Sequence, residues 1–302
     1  MMQQALISKI QHYSTKDGPG LRTTVFFMGC NLRCLWCANP ENLKQQSQIF
    51  YFKERCQHCG LCVSKAHHHS IAFDTIGCRI NRKTCDNLFD MVDICPFDCY
   101  EKIGQILTSD ELVLKLLRDQ DFYKAGQGGV TFSGGEAALQ ADFIEEVAYQ
   151  LHQYHIHTCL DTAGHIETQR LLQLLKHIDM VLYDIKAIDE TMHKHCTGIS
   201  NQLILSNAKA IANNRIPMII RLVIVPGYND DIDDMKKRID FICSLGSNVK
   251  QVDILKYHIY GVGKYEKLGL TYPLSDLKSN ENKIQELYNY ALSHHLKVTI
   301  GG

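Results

Sequence analysis

From about residue 106 onward the apolar residues alternate between two patterns: short, nearly unbroken runs, and longer stretches in which they return every third or fourth position. The runs are VTFSG (130–134), HTCLDT (157–162), MVLYDIK (180–186), MIIRLVIV (218–225) and VDILKYH (252–258). A strand covered on both faces leaves no side for water, so it reads as continuous apolar sequence. Between the runs, Leu139, Phe143, Val147 and Leu151 recur every four residues; Leu171, Leu174, Leu175 and Ile178, and then Met235, Ile239 and Ile242, make similar stripes. Each stripe predicts an amphipathic helix, and strand-helix alternation predicts parallel βαβ units. TTVFFMG (23–29) adds a first strand, and LYNYALSHHLKVTI (287–300) a closing helix and strand. The pattern as a whole predicts an α/β barrel, complete or partial.

The interval between 23–29 and 130–134 is too long for one crossover. Residues 50–105 carry little periodic apolar sequence and predict a small inserted domain that core burial alone would hold poorly, so that a bound metal centre supplies part of its stability. Cysteine usage agrees: of 13 cysteines, ten (Cys30, Cys34, Cys37, Cys56, Cys59, Cys62, Cys78, Cys85, Cys95 and Cys99) fall between positions 30 and 99. No run reaches the ~18 apolar residues of a membrane span. The start, MMQQALISKIQHYS, lacks the apolar core of a signal peptide, so a cytoplasmic protein without a membrane partner is expected. Disulfides are rare there, which leaves metal as the leading explanation. Cys159, Cys196 and Cys243, scattered among apolar neighbours, read as buried thiols. With 32 Lys+Arg against 33 Asp+Glu, the net charge of -1 supplies no bulk basic surface for nucleic acid. A 45% hydrophobic content excludes a disordered chain.

The sharpest chemical signal is MGCNLRCLWC, where Cys30, Cys34 and Cys37 stand in C-x3-C-x2-C spacing at the end of the first strand. A structural zinc site closes with four ligands, commonly brought as two pairs. Three thiolates on a cubane [4Fe-4S] cluster instead fix three irons and leave the fourth open to a small molecule, whereas a cluster that only transfers electrons is normally closed by four. A loop at the carboxyl end of a first barrel strand is also where α/β barrels carry their chemistry.

With Trp36 before its third cysteine, this loop resembles the radical S-adenosylmethionine (SAM) superfamily. Further blocks agree in order: KDGPGLRTTVFFMGC with Asp17 and Arg22, GGVTFSGGEA, HTCLDTAG, VLYDIK, IIRLVIVPGYND and KYHIYGVGKYEKLG. Together they resemble the glycyl-radical-enzyme activating enzymes across essentially the whole chain outside 50–105; Ala137, where a proline follows GGE in many radical SAM proteins, is compatible with that family. The resemblance implies a partial (β/α)6 barrel of radical SAM type over 1–302 with a ferredoxin-like Fe-S insert at 50–105. It implies that a reduced cluster cleaves SAM to a 5'-deoxyadenosyl radical, which takes hydrogen from a glycine of a partner glycyl-radical enzyme, with a flavodoxin- or ferredoxin-type reductant. By the same resemblance Cys30, Cys34 and Cys37 hold the cluster. Trp36, Asn39, Gly134, Gly135, Glu136, Asp161, Lys186 and His258 meet SAM; Asp161, Thr162 and Asp184, with the Leu182 carbonyl, ligate a monovalent cation; Asp17 and Arg221 meet the partner's glycine loop. Read locally, Asp161 and Asp184 in apolar strands need a cation or donors, which ion pairs at strand ends would also supply.

In the insert, Cys56, Cys59 and Cys62 begin a bacterial ferredoxin motif whose fourth position is Ala66. A second copy ending at Cys95-Pro96 keeps Cys85 but has Leu88 and Met91 at its middle positions. Because the fourth cysteine of each run ligates the other cluster, one complete set remains, Cys56, Cys59, Cys62 and Cys95, and one auxiliary [4Fe-4S] cluster is expected. Cys99 is an alternative to Cys95. Cys78, Cys85 and the run His67, His68, His69 leave room for another centre, though three adjacent histidines more often make an exposed polar stretch. Two other functions stand beside activation: a radical SAM enzyme acting on a small molecule or another peptide, and an Fe-S electron carrier, which would leave the three-cysteine loop and SGGE without purpose.

Overall fold

The computed structural model describes residues 3–275 and 277–301; Met1, Met2, Asp276 and Gly302 lie outside the described residues. Its strands are β1 (Gln4–Ser14), β2 (Arg22–Phe27), β3 (Gln48–Tyr51), β4 (Ile71–Phe73), β5 (Cys78–Ile80), β6 (Tyr100–Ile103), β7 (Gln105–Thr108), β8 (Gly129–Gly134), β9 (His157–Thr162), β10 (Met180–Asp184), β11 (Met218–Ile224), β12 (Val249–Lys256) and β13 (Val298–Ile300). Nine form one sheet in the order β13-β12-β11-β10-β9-β8-β2-β1-β7. β2 and β8 to β13 run parallel, while β1 lies antiparallel between β2 and β7. Among the described residues nothing pairs β13 with β7, so the sheet stays open.

The continuous apolar runs are the central parallel strands. Val25, Phe132, Leu160, Val181, Ile220 and Ile254 are buried in a core closed by the helix stripes of Val147 and Leu151, Leu171 and Leu174, and Met235 and Ile239. A buried side chain of this size contributes about 1.5–3 kcal/mol, so these stripes hold the helices to the sheet. Leu139 departs from its predicted stripe: it is exposed in a 3-10 turn, Ala137–Gln140, and the helix begins at Ala141 with Phe143 and Ile144 facing inward. The strand β1 has no predicted counterpart. Its positions along LISKIQHY mix polar and apolar because it lies near the sheet's edge.

Between β2 and β7 the chain leaves the sheet. β3 pairs antiparallel with β6, and β4 with β5, with short helices at Leu61–Lys65 and Met91–Ile94. This segment has its own small core of Ile49, Tyr51, Ile71, Leu88, Met91 and Tyr100 together with Cys62, Cys78, Cys85 and Cys99.

Candidate functional site

The carboxyl ends of five neighbouring strands, β2, β8, β9, β10 and β11, together with the segment after β12, open onto one cavity of about 210 Å3, continuous with solvent. Its lining brings together Cys30, Cys34, Trp36, Cys37 and Asn39 from the loop after β2, Gly134, Gly135 and Glu136 after β8, Asp161 and Thr162 on β9, Asp184 and Lys186 at β10, Arg221 on β11 and His258 beyond β12. Residues up to 228 positions apart meet because parallel strands present all their carboxyl ends at one edge of the sheet.

The cysteine loop is held by backbone. Gly29 N–H donates to the Asn42 carbonyl (2.9 Å), Arg33 N–H to Thr197 (2.8 Å) and Leu35 N–H to Cys196 (3.0 Å), where the helix Glu190–Thr197 ends. The Asn31 amide donates to the His165 carbonyl at 2.6 Å. Trp36 packs with Cys196, Val225, Tyr257 and Leu274. Burial pushes the Cys30 and Cys34 thiols up to about 12 and Cys37 to about 11, with Lys186 opposing at each. The metal-free loop thus carries three neutral thiols at neutral pH, and binding a metal centre must release their protons.

Gly134 and Gly135 answer to packing as well as to any ligand. A Cβ at Gly134, where φ is +122°, would run into the Phe27 backbone, and one at Gly135 into the Gly29 and Asn42 carbonyl oxygens. Gly135 N–H donates to Phe27 and Glu136 N–H to Gly29 (2.9 and 2.8 Å), so the glycine pair lies flat against the cysteine loop. Glu136 is 1% exposed. Its carboxylate accepts from Thr162 Oγ1 (2.5 Å), Ala163 N–H (2.9 Å) and Ala138 N–H (3.2 Å), which makes it a brace between the ends of β8 and β9.

That burial has a measurable consequence in the metal-free chain. Burial raises Glu136 from 4.5 to about 7 against those three donors. A carboxyl raised on folding stabilises the fold below its unfolded pKa and loses that contribution as pH rises through its folded value. Glu136→Gln should therefore destabilise by about 1–3 kcal/mol at pH 5, where an amide donor faces Ala163 N–H, and the deficit should shrink by pH 8; urea unfolding at the two pH values measures both.

Asp161 and Asp184 stand side by side on β9 and β10, and Arg221 on β11 bridges them. Its Nη2 donates to Asp161 Oδ1 at 2.6 Å and its Nε to Asp184 Oδ1 at 3.2 Å. Ser133 Oγ adds a donor to Asp161 (2.7 Å), and Lys186 Nζ pairs with Asp184 Oδ2 (2.8 Å). Burial keeps Asp161 above its ordinary value despite Arg221. Burial also works against an ionised Asp184, but Lys186 and Arg221 together hold it below its ordinary value. Both carboxylates thus make ion pairs at their strand ends.

Behind this row a buried frame holds the backbone. Asn229 Nδ2 donates to the Lys186 and Val223 carbonyls (2.8 Å each), Arg238 donates to the Asn229 carbonyl, and Arg238 pairs with Asp234, which also accepts from Ile188 and Asp189 N–H. Ser133, Asn229 and Arg238 were not among the sequence-derived candidates. Neither was the Lys264 ammonium, which reaches Asn39 Oδ1 (2.7 Å) and Glu41 Oε1 (2.6 Å). Only the glycine-rich GVGK around Lys264 was conspicuous in sequence.

Asp17 lies outside the cavity lining. Its carboxylate accepts from Thr24 Oγ1 (2.7 Å) and its carbonyl from Thr131 Oγ1 (2.6 Å). The buried Arg22 clamps the same loop through Thr131 Oγ1, the Pro19 carbonyl and the Val130 carbonyl. His258 is exposed and stacks on Tyr260 at 4.3 Å between centroids.

In the insert, Cys56, Cys59, Cys62, Cys78, Cys95 and Cys99 line a single small pocket with Tyr51, Phe73, Phe97 and Tyr100. Cys85 is elsewhere, in a groove toward Arg33 and Leu43. His67 and His68 are exposed and pair with Asp86, matching the polar-stretch reading. Cys159 and Cys196 are buried thiols as expected, and Cys243 is half-buried.

A family model described as the radical SAM superfamily matches residues 24–239. The chain is 37% identical over 277 residues to the choline trimethylamine-lyase activating enzyme of Oleidesulfovibrio alaskensis, covering 90% of this chain and 89% of that one. It is 34% identical over 310 residues to the 4-hydroxyphenylacetate decarboxylase activating enzyme of Clostridium scatologenes, covering 100% and 98%. Among solved structures, a domain of pyruvate-formate lyase-activating enzyme from Bacteroides vulgatus ATCC 8482 aligns with a TM-score of 0.50 at 28% identity, over 58% of this chain and 99% of that one. Streptococcus suis SuiB bound to precursor peptide SuiA aligns with a TM-score of 0.57 at 13% identity over 91% and 47%, a likeness of fold alone. The chain belongs to the radical SAM superfamily and, within it, to the activating enzymes of glycyl-radical enzymes. A [4Fe-4S] cluster, SAM and a glycyl-radical partner come with that membership. Among the described residues no helix is long and apolar enough to cross a membrane.

Proposed function

We propose that the cavity at the strand ends is the activation site, with Cys30, Cys34 and Cys37 holding the cluster and SAM lying across the ends of β8 to β11. The observation that carries this reading is the convergence of three thiols, a glycine pair and a row of buried charges on one solvent-open cavity. The donor set fits a cubane with one open iron, because the loop brings three thiols and the remaining lining offers no fourth. When bound, the cluster and SAM supply reductive cleavage of the sulfonium and a radical that takes hydrogen from the partner's glycine.

The chain's own residues position and exclude. Gly134 and Gly135 let the backbone after β8 lie flat against the cysteine loop at the cavity's rim, where a Cβ would strike the Phe27, Gly29 and Asn42 backbone. Lys186 keeps its positive charge beside Cys34 and Asp184, within reach of a carboxylate ligand. Trp36, Asn39 and His258 close the wall toward β12. Asp161, Thr162 and Asp184, with the Leu182 carbonyl, are the cation site the resemblance implies. That site does not fit the side chains as they stand: both carboxylates are matched by Arg221 and Lys186, and Thr162 Oγ1 already accepts from Gly164 N–H while donating to Glu136. We therefore assign the balancing charge to Arg221 and Lys186. With Arg221 committed there, Asp17 is the residue left to meet the partner's loop.

For the insert we favour a ferredoxin-like unit within 50–105 carrying one auxiliary [4Fe-4S] cluster on Cys56, Cys59, Cys62 and Cys95, beside a partial (β/α)6 barrel of β2 and β8 to β12. The buried Tyr100 Oη, which has no hydrogen-bond partner among the described residues and stands beside Cys62, is a donor waiting for a sulfur acceptor. Leu88 and Met91, at the lost ligand positions, are apolar side chains buried in the insert's core and offer no ligand for a second cluster. A cytoplasmic setting and a flavodoxin- or ferredoxin-type donor accord with thirteen unpaired thiols.

The test is anaerobic. The reconstituted, dithionite-reduced chain is mixed with SAM and with the glycyl-radical enzyme encoded nearest its gene. A glycine-centred electron paramagnetic resonance doublet together with 5'-deoxyadenosine supports the reading. 5'-Deoxyadenosine without any partner radical, across a panel of glycyl-radical enzymes, points instead to a small-molecule or peptide substrate.

A further inference from the structure

Six of the insert's cysteines line one pocket, two more than a cubane takes. The spacing argument accounts for Cys56, Cys59, Cys62 and Cys95, and leaves Cys78 and Cys99 without a purpose. Cys78 is no stray thiol. It begins β5, is 6% exposed, and its Sγ stands 3.7 Å from Cys62 Sγ. Its backbone N–H donates to Tyr51 Oη at 2.8 Å, and Tyr51 in turn stands beside Cys56. Gly77 before it leaves space for that contact, since a Cβ there would come within 2.7 Å of Tyr51 Oη. Tyr100 Oη, on a residue 3% exposed, also faces the pocket without a hydrogen-bond partner among the described residues. The pocket therefore presents two kinds of protonated donor, a phenol and a spare thiol, around its ligand sulfurs.

Each thiolate of a cubane binds its own iron, so ligand sulfurs sit at separate corners with the body of the cluster between them, well beyond contact distance. Cys62 and Cys78, in contact, cannot both be ligands of one cluster in this arrangement. A thiol left over next to a thiolate is a weak donor facing a good acceptor, and hydrogen bonds to its sulfurs are among the features that set a cluster's potential.

We propose that Cys78 is not a ligand but an S–H donor to the Cys62 sulfur, and that it makes the auxiliary cluster easier to reduce. The inference rests on the auxiliary-cluster reading above. A hydrogen bond to a sulfur that gains negative charge on reduction stabilises the reduced state more than the oxidised one, so its loss lowers the potential. The contact is particular to this chain's spare thiol, because neither ferredoxin spacing includes position 78.

The experiment compares wild type, Cys78→Ala, Cys78→Ser and Cys62→Ala after anaerobic reconstitution, reading iron and sulfide per chain, circular dichroism for folding, and potential by redox titration followed by electron paramagnetic resonance. Cys78→Ala is expected to keep the iron of both clusters. The reduced-to-oxidised ratio of its auxiliary cluster at a fixed potential should fall roughly fivefold to tenfold, the scale of one weak hydrogen bond; tenfold is 59 mV for a one-electron couple. Cys78→Ser, which restores a donor, should recover part of the shift, and Cys62→Ala should lose one cluster's iron. Loss of that iron from a folded Cys78→Ala or Cys78→Ser would make Cys78 a ligand and overturn the inference. An unchanged potential in Cys78→Ala would overturn it while leaving the auxiliary cluster standing. Wild type holding the iron of a single cluster would overturn both.

Discussion

Cys34→Ala should reduce 5'-deoxyadenosine formation to the level of a protein-free control and lower iron by one cluster's worth per chain. Cys34 sits between Lys186 and the apolar wall of Trp36 and Cys196, and burial keeps its thiol neutral until metal displaces the proton. On the proposed assignment, its loss would free a second iron, leave SAM without a single defined place to chelate and cost the cluster a third of its protein bonds. The loop itself should survive, because Gly29, Arg33 and Leu35 hold it by backbone hydrogen bonds that no cysteine side chain makes. The metal-free variant should accordingly melt close to wild type. A fully loaded, reduced Cys34→Ala that still cleaves SAM would remove this loop from the chemistry.

Arg221→Met should be the most damaging substitution for folding among the cavity residues. It leaves Asp161 with Ser133 as its remaining partner and Asp184 with Lys186 alone, in a wall where the Arg221 side chain is 15% exposed. Breaking a buried pair by removing one partner costs about 3–5 kcal/mol, which for a chain of this size lowers Tm by roughly 5–8 °C. The sign with pH follows from Asp161. Burial already raises its carboxyl, and without Arg221 it rises further. A carboxyl raised on folding loses stability as pH climbs, so the deficit against wild type should be smallest near pH 5 and grow toward pH 7. Asp161→Asn added to Arg221→Met should recover part of the loss and remove that growth. An Arg221→Met chain as stable as wild type at pH 7 would mean that the charge row is not structural.

The βαβ core was legible because burial on both faces writes itself into sequence: HTCLDT matches β9 residue for residue, and the stripes of Leu171 and Leu174 and of Met235 and Ile239 face the sheet. β1 was not legible, since a strand near the edge has too little buried face to impose a pattern. Leu139 was misplaced for a related reason. Four-residue spacing extends a stripe one turn beyond the helix, whereas Glu136 accepting from Ala138 N–H sets a 3-10 turn first.

The site divides along the same line. Cysteine spacing and GGE are local, since a loop and a tight glycine contact involve neighbours in the chain, so sequence alone determined a three-thiol centre at the end of a first strand, an α/β chain and a cysteine-rich insert. What Asp161 and Asp184 pair with was undetermined, because an ion pair depends on which strand lies alongside. Only the order β9-β10-β11 sets Arg221 between the two carboxylates. The contact of Cys78 with Cys62 is of the same kind: sixteen residues apart with no motif to join them, they meet because β4 and β5 fold the chain back over the helix Leu61–Lys65. Sequence carries what each residue must avoid, chiefly water at an apolar face or a Cβ in a crowded turn. The tertiary structure decides which charges and thiols are brought close enough to act on one another, since those forces fall off within a few ångströms and the chain alone does not specify who is near.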